Sequence, residues 1–130
     1  MNILYYITHW EVGTAYKNIQ FMKETFGGEI IKDNISKALK YIRKNKPEII
    51  VVRGDGRQDY KLALRFKIPY ILIENDVSSM RSDLNEEGIK EEKTKIENAS
   101  AIIFTSEDHA EYCKKYNLPY YEIIYSRPLK

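Results

Sequence analysis

The chain has 130 residues, of which 43% are hydrophobic, a net charge of +2 and a single cysteine, Cys113. This length suits one domain with one core, and the apolar fraction excludes a disordered chain. The near-balanced charge argues against nucleic-acid binding, and a lone cysteine excludes an internal disulfide.

The N-terminal segment predicts a strand, a helix and a second strand. The first strand is an apolar run over Asn2–Ile7. Apolar residues then recur at helical spacing until the pair Gly27-Gly28 ends the helix. A short strand over Glu29–Ile31 follows. We expect the buried stripe of this helix to consist of Ala15, Ile19, Met22 and Phe26.

The second predicted helix has two unlike faces. Asp33 or Asn34 caps it, and it ends before Pro47. Its buried stripe is expected to be Ile35, Ala38, Leu39 and Ile42. Its outer face carries Lys37, Lys40, Arg43 and Lys44. A solvated outer face is the favoured interpretation because the core needs the apolar side, and the alternative is peripheral contact with an anionic membrane surface.

The rest of the chain continues the alternation of strands and helices. Further strands are predicted over Glu48–Val52, Pro69–Ile73, Ala101–Phe104 and Tyr120–Tyr125. Further helices are predicted over Asp59–Lys67, over Asn85–Asn98 and from Ser106 onward. The helix over 85–98 has few core residues, so we expect it to lie largely in water with support from Glu86–Lys90 and Glu91–Lys95 ion pairs.

Strands and helices that alternate in this way predict an α/β domain. We expect a single doubly wound, mainly parallel sheet of about six strands with helices on both faces, a Rossmann-like fold that spans residues 1–130. Ligands of such sheets bind beyond the carboxyl ends of the strands. Since every predicted strand here ends in polar residues, we expect the ligand site at that edge.

The loop after the first strand supplies the leading candidates for chemistry. His9 or Glu11 can take a proton from a ligand hydroxyl, and Gly13 is the only glycine of that loop. These residues indicate a loop that holds a polar ligand. The alternative interpretation is a loop packed by Trp10 with solvated neighbours.

The later loops add ligand-binding candidates, which are Asp55, Asp76, Ser106 and Glu107. The glycines around Asp55 favour a tight turn over a phosphate nest. Neither the dinucleotide-binding glycine motif nor a P-loop is present. His109 and the candidate aspartates lack the local spacing of metal ligands, so we expect no metal and no cofactor.

The sequence predicts a cytoplasmic protein. No stretch approaches the length of a membrane span, and the N-terminus lacks the charged start and small-residue cleavage site of a signal peptide. The lone cysteine suits a reducing compartment.

Three segments of the chain share an order of motifs with a known family. Residues 39–52 join an amphipathic helix to Lys-Pro-Glu and an apolar strand, and residues 63–73 lead from an alanine to Ile-Pro and a strand. Residues 97–107 read Glu-Asn-Ala-Ser-Ala-Ile-Ile-Phe-Thr-Ser-Glu. Together they resemble the N-terminal domain of GT-B glycosyltransferases of the glycosyltransferase 4 type. The sequence differs at Glu48 and Ser100, where that family usually has Asp.

The resemblance implies an acceptor-side domain. In that family the N-terminal domain mainly binds the acceptor, here a sugar or a lipid-linked molecule, and a second domain binds the nucleotide-sugar donor. The sequence stops at Lys130, where the donor domain would begin. We therefore expect a separate donor-binding domain or partner chain to complete the enzyme, with His9 and Glu11 as catalytic candidates and the isolated chain inactive.

A second hypothesis stays open from the residues. The chain is then a stand-alone, non-catalytic binding or interaction module that keeps the Rossmann-like sheet and forms a homodimer. The two hypotheses differ in whether a donor-binding domain accompanies the chain.

Overall fold

The computed structural model describes residues 2–8, 14–53, 59–74 and 86–104. These residues form the elements β1 (Ile3–Ile7), α1 (Thr14–Phe26), β2 (Glu29–Lys32), α2 (Ile35–Asn45), β3 (Ile49–Arg53), α3 (Asp59–Phe66), β4 (Tyr70–Glu74), α4 (Glu86–Glu97) and β5 (Ala101–Phe104). The predicted α/β alternation is confirmed, with element ends that differ by a residue or two. The sixth predicted strand and the helix after Ser106 lie outside the described residues.

The five described strands form one sheet with the order β2-β1-β3-β4-β5. All neighbouring strands are parallel, and Leu4 of β1 lies opposite Glu29 on one side and Ile50 on the other. The predicted parallel, Rossmann-like α/β sheet is therefore confirmed in these residues. In a parallel sheet of this order the ligand crevice falls between β1 and β3.

Two hydrophobic clusters lie against the sheet, and alternate residues of β1 divide between them. The larger cluster combines Leu4 and Tyr6 with helix residues Ala38, Ile42, Tyr60, Leu62, Ala63 and Ile96, which come from α2, α3 and α4. The smaller cluster combines Ile3, Tyr5 and Ile7 with Ile19 of α1. Each residue of β1 is buried, so this strand is the centre of the core.

Helix α1 ends where predicted, but its apolar stripe is shorter than expected. Ile19 is fully buried, and Met22 packs against the smaller cluster. Phe26, the last residue of the predicted stripe, is instead 59% exposed, and the side chain of Ala15 lies outside the described residues. Phe26 is the last residue of α1, directly before Gly27 turns the chain with a φ of 78°. Periodicity does not decide burial at such a position, because the packing surface ends where the helix ends.

Helix α2 is capped by Asn34, whose side-chain oxygen accepts from the Lys37 N–H at 3.0 Å. Ala38 and Ile42 are buried as predicted. Ile35, also predicted to be buried, is 50% exposed. As the first residue of the helix it lies beyond the part of α2 that packs on the larger cluster.

Helix α4 is joined to the sheet near its C-terminal end. Ile96 is fully buried, and the Tyr70 hydroxyl donates to the Lys95 carbonyl at 2.5 Å. Burial raises the pKa of Tyr70 well above its ordinary value, so its phenol stays a donor. The described ion pair of Glu91 reaches across to Lys61 of α3 at 3.1 Å. Glu91 therefore links α4 to α3, and the ion pairs predicted within α4 stay predictions.

The parallel strands begin at one end of the sheet, which we call the amino edge. We define it by Asn2, Tyr41, Asn45 and Glu48. The Asn2 side chain donates to the Asn45 carbonyl at 2.6 Å and accepts from the Tyr41 hydroxyl at 2.9 Å. The Glu48 N–H donates to the Asn2 carbonyl at 2.9 Å, and the Glu48 carboxylate accepts from the Asn2 N–H at 3.3 Å. One asparagine therefore ties the start of β1 to the end of α2 and the entry to β3.

Candidate functional site

The candidate site, which we call the carboxyl edge, is defined by Thr8, Asp33, Arg53 and Asp59. Thr8 follows β1, Asp33 follows β2, Arg53 ends β3, and Asp59 begins α3. Since parallel strands end at the same side of a sheet, these residues flank the crevice between β1 and β3. This is the edge at which polar residues were predicted to bind a ligand.

A hydrogen-bonded pair, Thr8 and Asp59, spans the crevice. The Thr8 hydroxyl lies 2.8 and 2.7 Å from the two carboxylate oxygens of Asp59, so its one hydrogen is shared between them. The Thr8 N–H donates to the same carboxylate at 3.3 Å. The pair links the residue before the first loop, 9–13, to the residue after the second, 54–58. The Thr8–Asp59 hydrogen bonds therefore hold the residue that precedes the first loop close to the residue that follows the second.

The carboxyl edge also holds two charged side chains that are almost fully buried. Arg53 is 9% exposed and Asp59 is 6% exposed. Burial of a charge is costly unless the charge is paired or hydrogen-bonded, and such groups concentrate at functional sites. Asp59 meets this requirement through Thr8, and its place in the first turn of α3 suits the positive end of the helix dipole.

Asp33 occupies a backbone conformation that is unusual for a residue with a side chain. Its φ is 47°, in the left-handed region, where aspartate is better tolerated than most residues. Its N–H donates to the Ile7 carbonyl at 2.9 Å, which continues the pairing of β1 and β2 past the end of β2. This bond places a second carboxyl residue beside the end of β1.

Both carboxylates of the carboxyl edge affect the pKa of Tyr6. Burial raises its pKa, and the negative charges of Asp59 and Asp33 raise it further. The neighbouring Tyr5, which points to the smaller cluster, has a pKa raised by burial alone. Its hydroxyl donates to the Gly27 carbonyl at 2.9 Å. The negative charges of Asp59 and Asp33 therefore raise the pKa of Tyr6 and not that of Tyr5.

The described groups can therefore bind the hydroxyls of a polar ligand. The Asp59 carboxylate is an acceptor, Thr8 both donates and accepts, and Arg53 supplies a cation at the end of the adjacent strand. Among the described residues, no three His, Cys, Asp or Glu side chains are grouped so that they could hold a metal ion.

All of the site residues predicted from the sequence lie outside the described residues. They are His9, Glu11, Gly13, Asp55, Asp76, Ser106 and Glu107. The described chain flanks their loops: Thr8 stands directly before His9, and Asp59 stands four positions after Asp55. The site predicted on those residues stays a prediction.

None of the four residues that define the carboxyl edge is among the predicted site residues. The sequence pattern marks Asp59 only as the start of a helix and Thr8 only as the end of a strand. The signal available in the sequence is an aspartate at a helix start after a glycine-containing loop. The contact of Thr8 with Asp59 joins residues 51 positions apart, and no local pattern contains that information.

Comparisons with known proteins add no family assignment: no protein-family model matches the chain, and no curated protein matches it significantly. Within the ranges that the structure describes, no helix is both long and apolar enough to cross a bilayer.

Proposed function

We propose that this chain is the acceptor-side domain of a GT-B glycosyltransferase, which transfers a sugar only together with a nucleotide-sugar-binding domain or partner chain. The observation that carries the proposal is the buried Asp59–Thr8 pair at the crevice between β1 and β3. It supplies the hydroxyl-binding chemistry that an acceptor site needs, at the sheet edge where such a site belongs. The order of motifs over residues 39–107 supports the same assignment.

The proposal includes a more complete fold than the described residues contain. A sixth strand at 120–125 would extend the parallel sheet, and helices would cover both of its faces in a doubly wound arrangement. The division of helix residues between two clusters, with Ile19 of α1 in one and those of the other three helices in the second, supports this arrangement.

In the proposed reaction the first loop carries the chemistry. His9 would accept the proton of the acceptor hydroxyl while the acceptor oxygen bonds to the anomeric carbon of the donor sugar and the nucleoside diphosphate leaves with the electron pair of the broken C–O bond. Glu11 would orient His9 or act in its place. The remaining loop candidates would hold the acceptor; they are Gly13, Asp55, Asp76, Ser106 and Glu107. The protein would act in the cytoplasm, where nucleotide sugars are available as donors. In the assembled enzyme, His9→Ala should lower turnover by roughly 100-fold or more.

Two titrations test the proposal. Calorimetry with UDP-sugars and GDP-sugars should give no micromolar binding to the isolated chain, because the donor site belongs to the other domain. Amide spectra of the isotope-labelled chain, recorded with a panel of mono- and oligosaccharides, should show shifts at Thr8, Arg53 and Asp59. The amino-edge amides of Asn2 and Glu48 provide the internal control and should not move.

The outcomes separate the proposal from its alternative. Micromolar binding of a nucleotide sugar contradicts the acceptor-side assignment. Absence of saccharide-induced shifts at the carboxyl edge favours the stand-alone binding module, for which a homodimer in sedimentation analysis is the corresponding expectation.

A further inference from the structure

We propose that the outer face of α2 is a docking surface for anionic lipid bilayers. This surface, which we call the basic face, consists of the exposed side chains of Lys37, Lys40, Arg43 and Lys44. At 3.6 residues per turn, these four positions fall within an arc of about 120° of the helix. The opposite side of α2 places Ala38 and Ile42 in the larger cluster, so the basic face points away from the core.

Charge is distributed unevenly between this segment and the rest of the chain. Residues 34–47 contain five cationic residues and no acidic ones. The whole chain has a net charge of +2, so the remainder carries −3. A flat anionic surface would attract the segment and repel the remainder, which turns the basic face toward that surface. A polyanion that wraps around the protein would gain no such orientation, so the asymmetry favours a bilayer over a nucleic acid.

The cations of the basic face are available to an external partner. Within the part of the chain that the structure describes, no carboxylate forms an ion pair with Lys37, Lys40, Arg43 or Lys44. Asp33 and Glu48, the nearest acidic residues along the chain, lie beyond the two ends of α2. Each cation can therefore meet a lipid phosphate or carboxylate without first breaking an internal pair.

The packing of α2 determines how it would bind. Ala38 and Ile42 of its apolar stripe are already part of the core, so the helix cannot insert that stripe into the acyl region as an interfacial amphipathic helix does. Docking must then depend on surface electrostatics, and screening by salt should remove it. This surface goes beyond the proposed sugar transfer, since it uses none of the carboxyl-edge residues and its test does not depend on a donor or an acceptor.

Vesicle co-sedimentation tests the proposal. At low ionic strength the chain should pellet with phosphatidylcholine vesicles that contain about 30 mol% phosphatidylserine, and not with phosphatidylcholine alone. Addition of about 0.5 M salt should return it to the supernatant. Failure to pellet with the anionic vesicles at low salt overturns the proposal.

A matched pair of variants locates the binding surface. Lys44→Glu and Lys23→Glu each change the net charge by the same amount, and each alters an exposed lysine in the last turn of its helix. Since a cation near an anionic surface is worth about five-fold in affinity, Lys44→Glu should lower the lipid partition coefficient roughly ten-fold. The double variant Lys40→Glu/Lys44→Glu should lower it further, while Lys23→Glu on α1 should change it by no more than about two-fold.

Thermal melts of the variants show that each remains folded. Equal losses of lipid binding in Lys44→Glu and Lys23→Glu would overturn the proposal, because net charge and not the basic face would then control binding. Binding to single-stranded RNA that depends on Lys44, in the absence of vesicle binding, would also overturn it and assign the face to a nucleic acid.

Discussion

The amino edge and the carboxyl edge of the sheet each join separate segments of the chain, but they do so with different chemical groups. At the amino edge, Asn2 joins three segments of the chain mostly through neutral amide, carbonyl and phenol groups. At the carboxyl edge, Thr8 and Asp59 join two segments through a buried charge, with a second buried charge at Arg53. Neutral groups hold the chain together at the amino edge, where the Glu48 carboxylate adds only a 3.3 Å hydrogen bond. The two buried charges at the carboxyl edge therefore favour the ligand-binding role proposed for that edge.

The largest effect is expected beside the amino edge, at Gly28. Its φ is 110°, and a Cβ built on it would overlap the carbonyl oxygen of Ile3. Gly28→Ala should therefore lower the free energy of unfolding by about 3 kcal/mol or more, because backbone would have to shift in β1 or β2. Denaturant titration measures this loss.

Gly27→Ala is the matched control for that substitution. Gly27 also has a positive φ, 78°, but no atom of the described residues lies within 4 Å of the point that an alanine Cβ would occupy there. The only cost of the added side chain is then the left-handed backbone conformation. The free energy of unfolding should therefore fall by about 1 kcal/mol. Equal losses at Gly27 and Gly28 would contradict the close approach to Ile3.

The next largest effect is expected at the carboxyl edge. Asp59→Ala removes the acceptor of both Thr8 donors, and hydrogen bonds to a charged group contribute more than neutral ones. The free energy of unfolding should fall by about 2–3 kcal/mol, with a smaller loss for Asp59→Asn, which keeps an acceptor oxygen. A gain in stability for Asp59→Asn would contradict a stabilising role for the charge of Asp59.

A smaller effect is expected for Asn2→Ala at the amino edge. The substitution removes two neutral, partly exposed hydrogen bonds, to Asn45 and from Tyr41. We expect the free energy of unfolding to fall by about 1 kcal/mol. For Asn45→Ala, which removes only a 3.3 Å hydrogen bond from the Asn45 side chain to the Tyr41 carbonyl, we expect a fall of about a few tenths of a kcal/mol. Ligand-induced shifts at Thr8 should be unchanged in Asn2→Ala. A change there would show that the two edges are coupled.

The smallest effect is spectroscopic and compares two adjacent tyrosines. The pKa values of Tyr5 and Tyr6 both lie above the ordinary 10.0, and only that of Tyr6 is raised by Asp59. Asp59→Asn should lower the pKa of Tyr6 toward the ordinary value and leave that of Tyr5 unchanged. Carbon-labelled tyrosine spectra followed through alkaline pH can resolve the two rings.

The same raised pKa values set the sign of the alkaline pH dependence. Burial favours the neutral phenol, so the unfolded chain loses these protons at a lower pH than the folded chain does. The stabilisation is complete below the ordinary value of 10.0 and is lost as the pH rises past it. A free energy of unfolding that rose above pH 10 would contradict the burial of these phenols.

Much of the fold was predictable because its signals are local. The β-branched run at 49–52, the Gly27-Gly28 pair and the Asn34 cap each act within a few residues, and each occurs as predicted. Phe26 and Ile35 were predicted wrongly because both stand at helix ends, where burial depends on how far the neighbouring surface extends.

The site was less predictable than the fold. The alternation of strands and helices predicts the edge of the sheet at which polar residues gather. It does not predict which residues contact each other there. Thr8 and Asp59 come from different strand–helix units, and only the register of β1 against β3 brings them together. Sequence patterns contain residue types and local spacing, whereas this contact depends on a strand pairing that the patterns do not specify.

The strand order has a consequence for how the chain folds. Strand β1 lies between β2 and β3, and both of these neighbours follow it in the chain: Leu4 pairs with Glu29 and with Ile50, 46 positions later. During synthesis its apolar sequence, Ile-Leu-Tyr-Tyr-Ile, emerges before β2 and β3, so both of its sides are paired only after β3 has been made. Late, long-range pairing is slow, and an unpaired apolar strand is the kind of segment that self-associates. Strand β1 is buried along its whole length in the folded protein. It is thus the strand that most needs protection from self-association while the chain is incomplete.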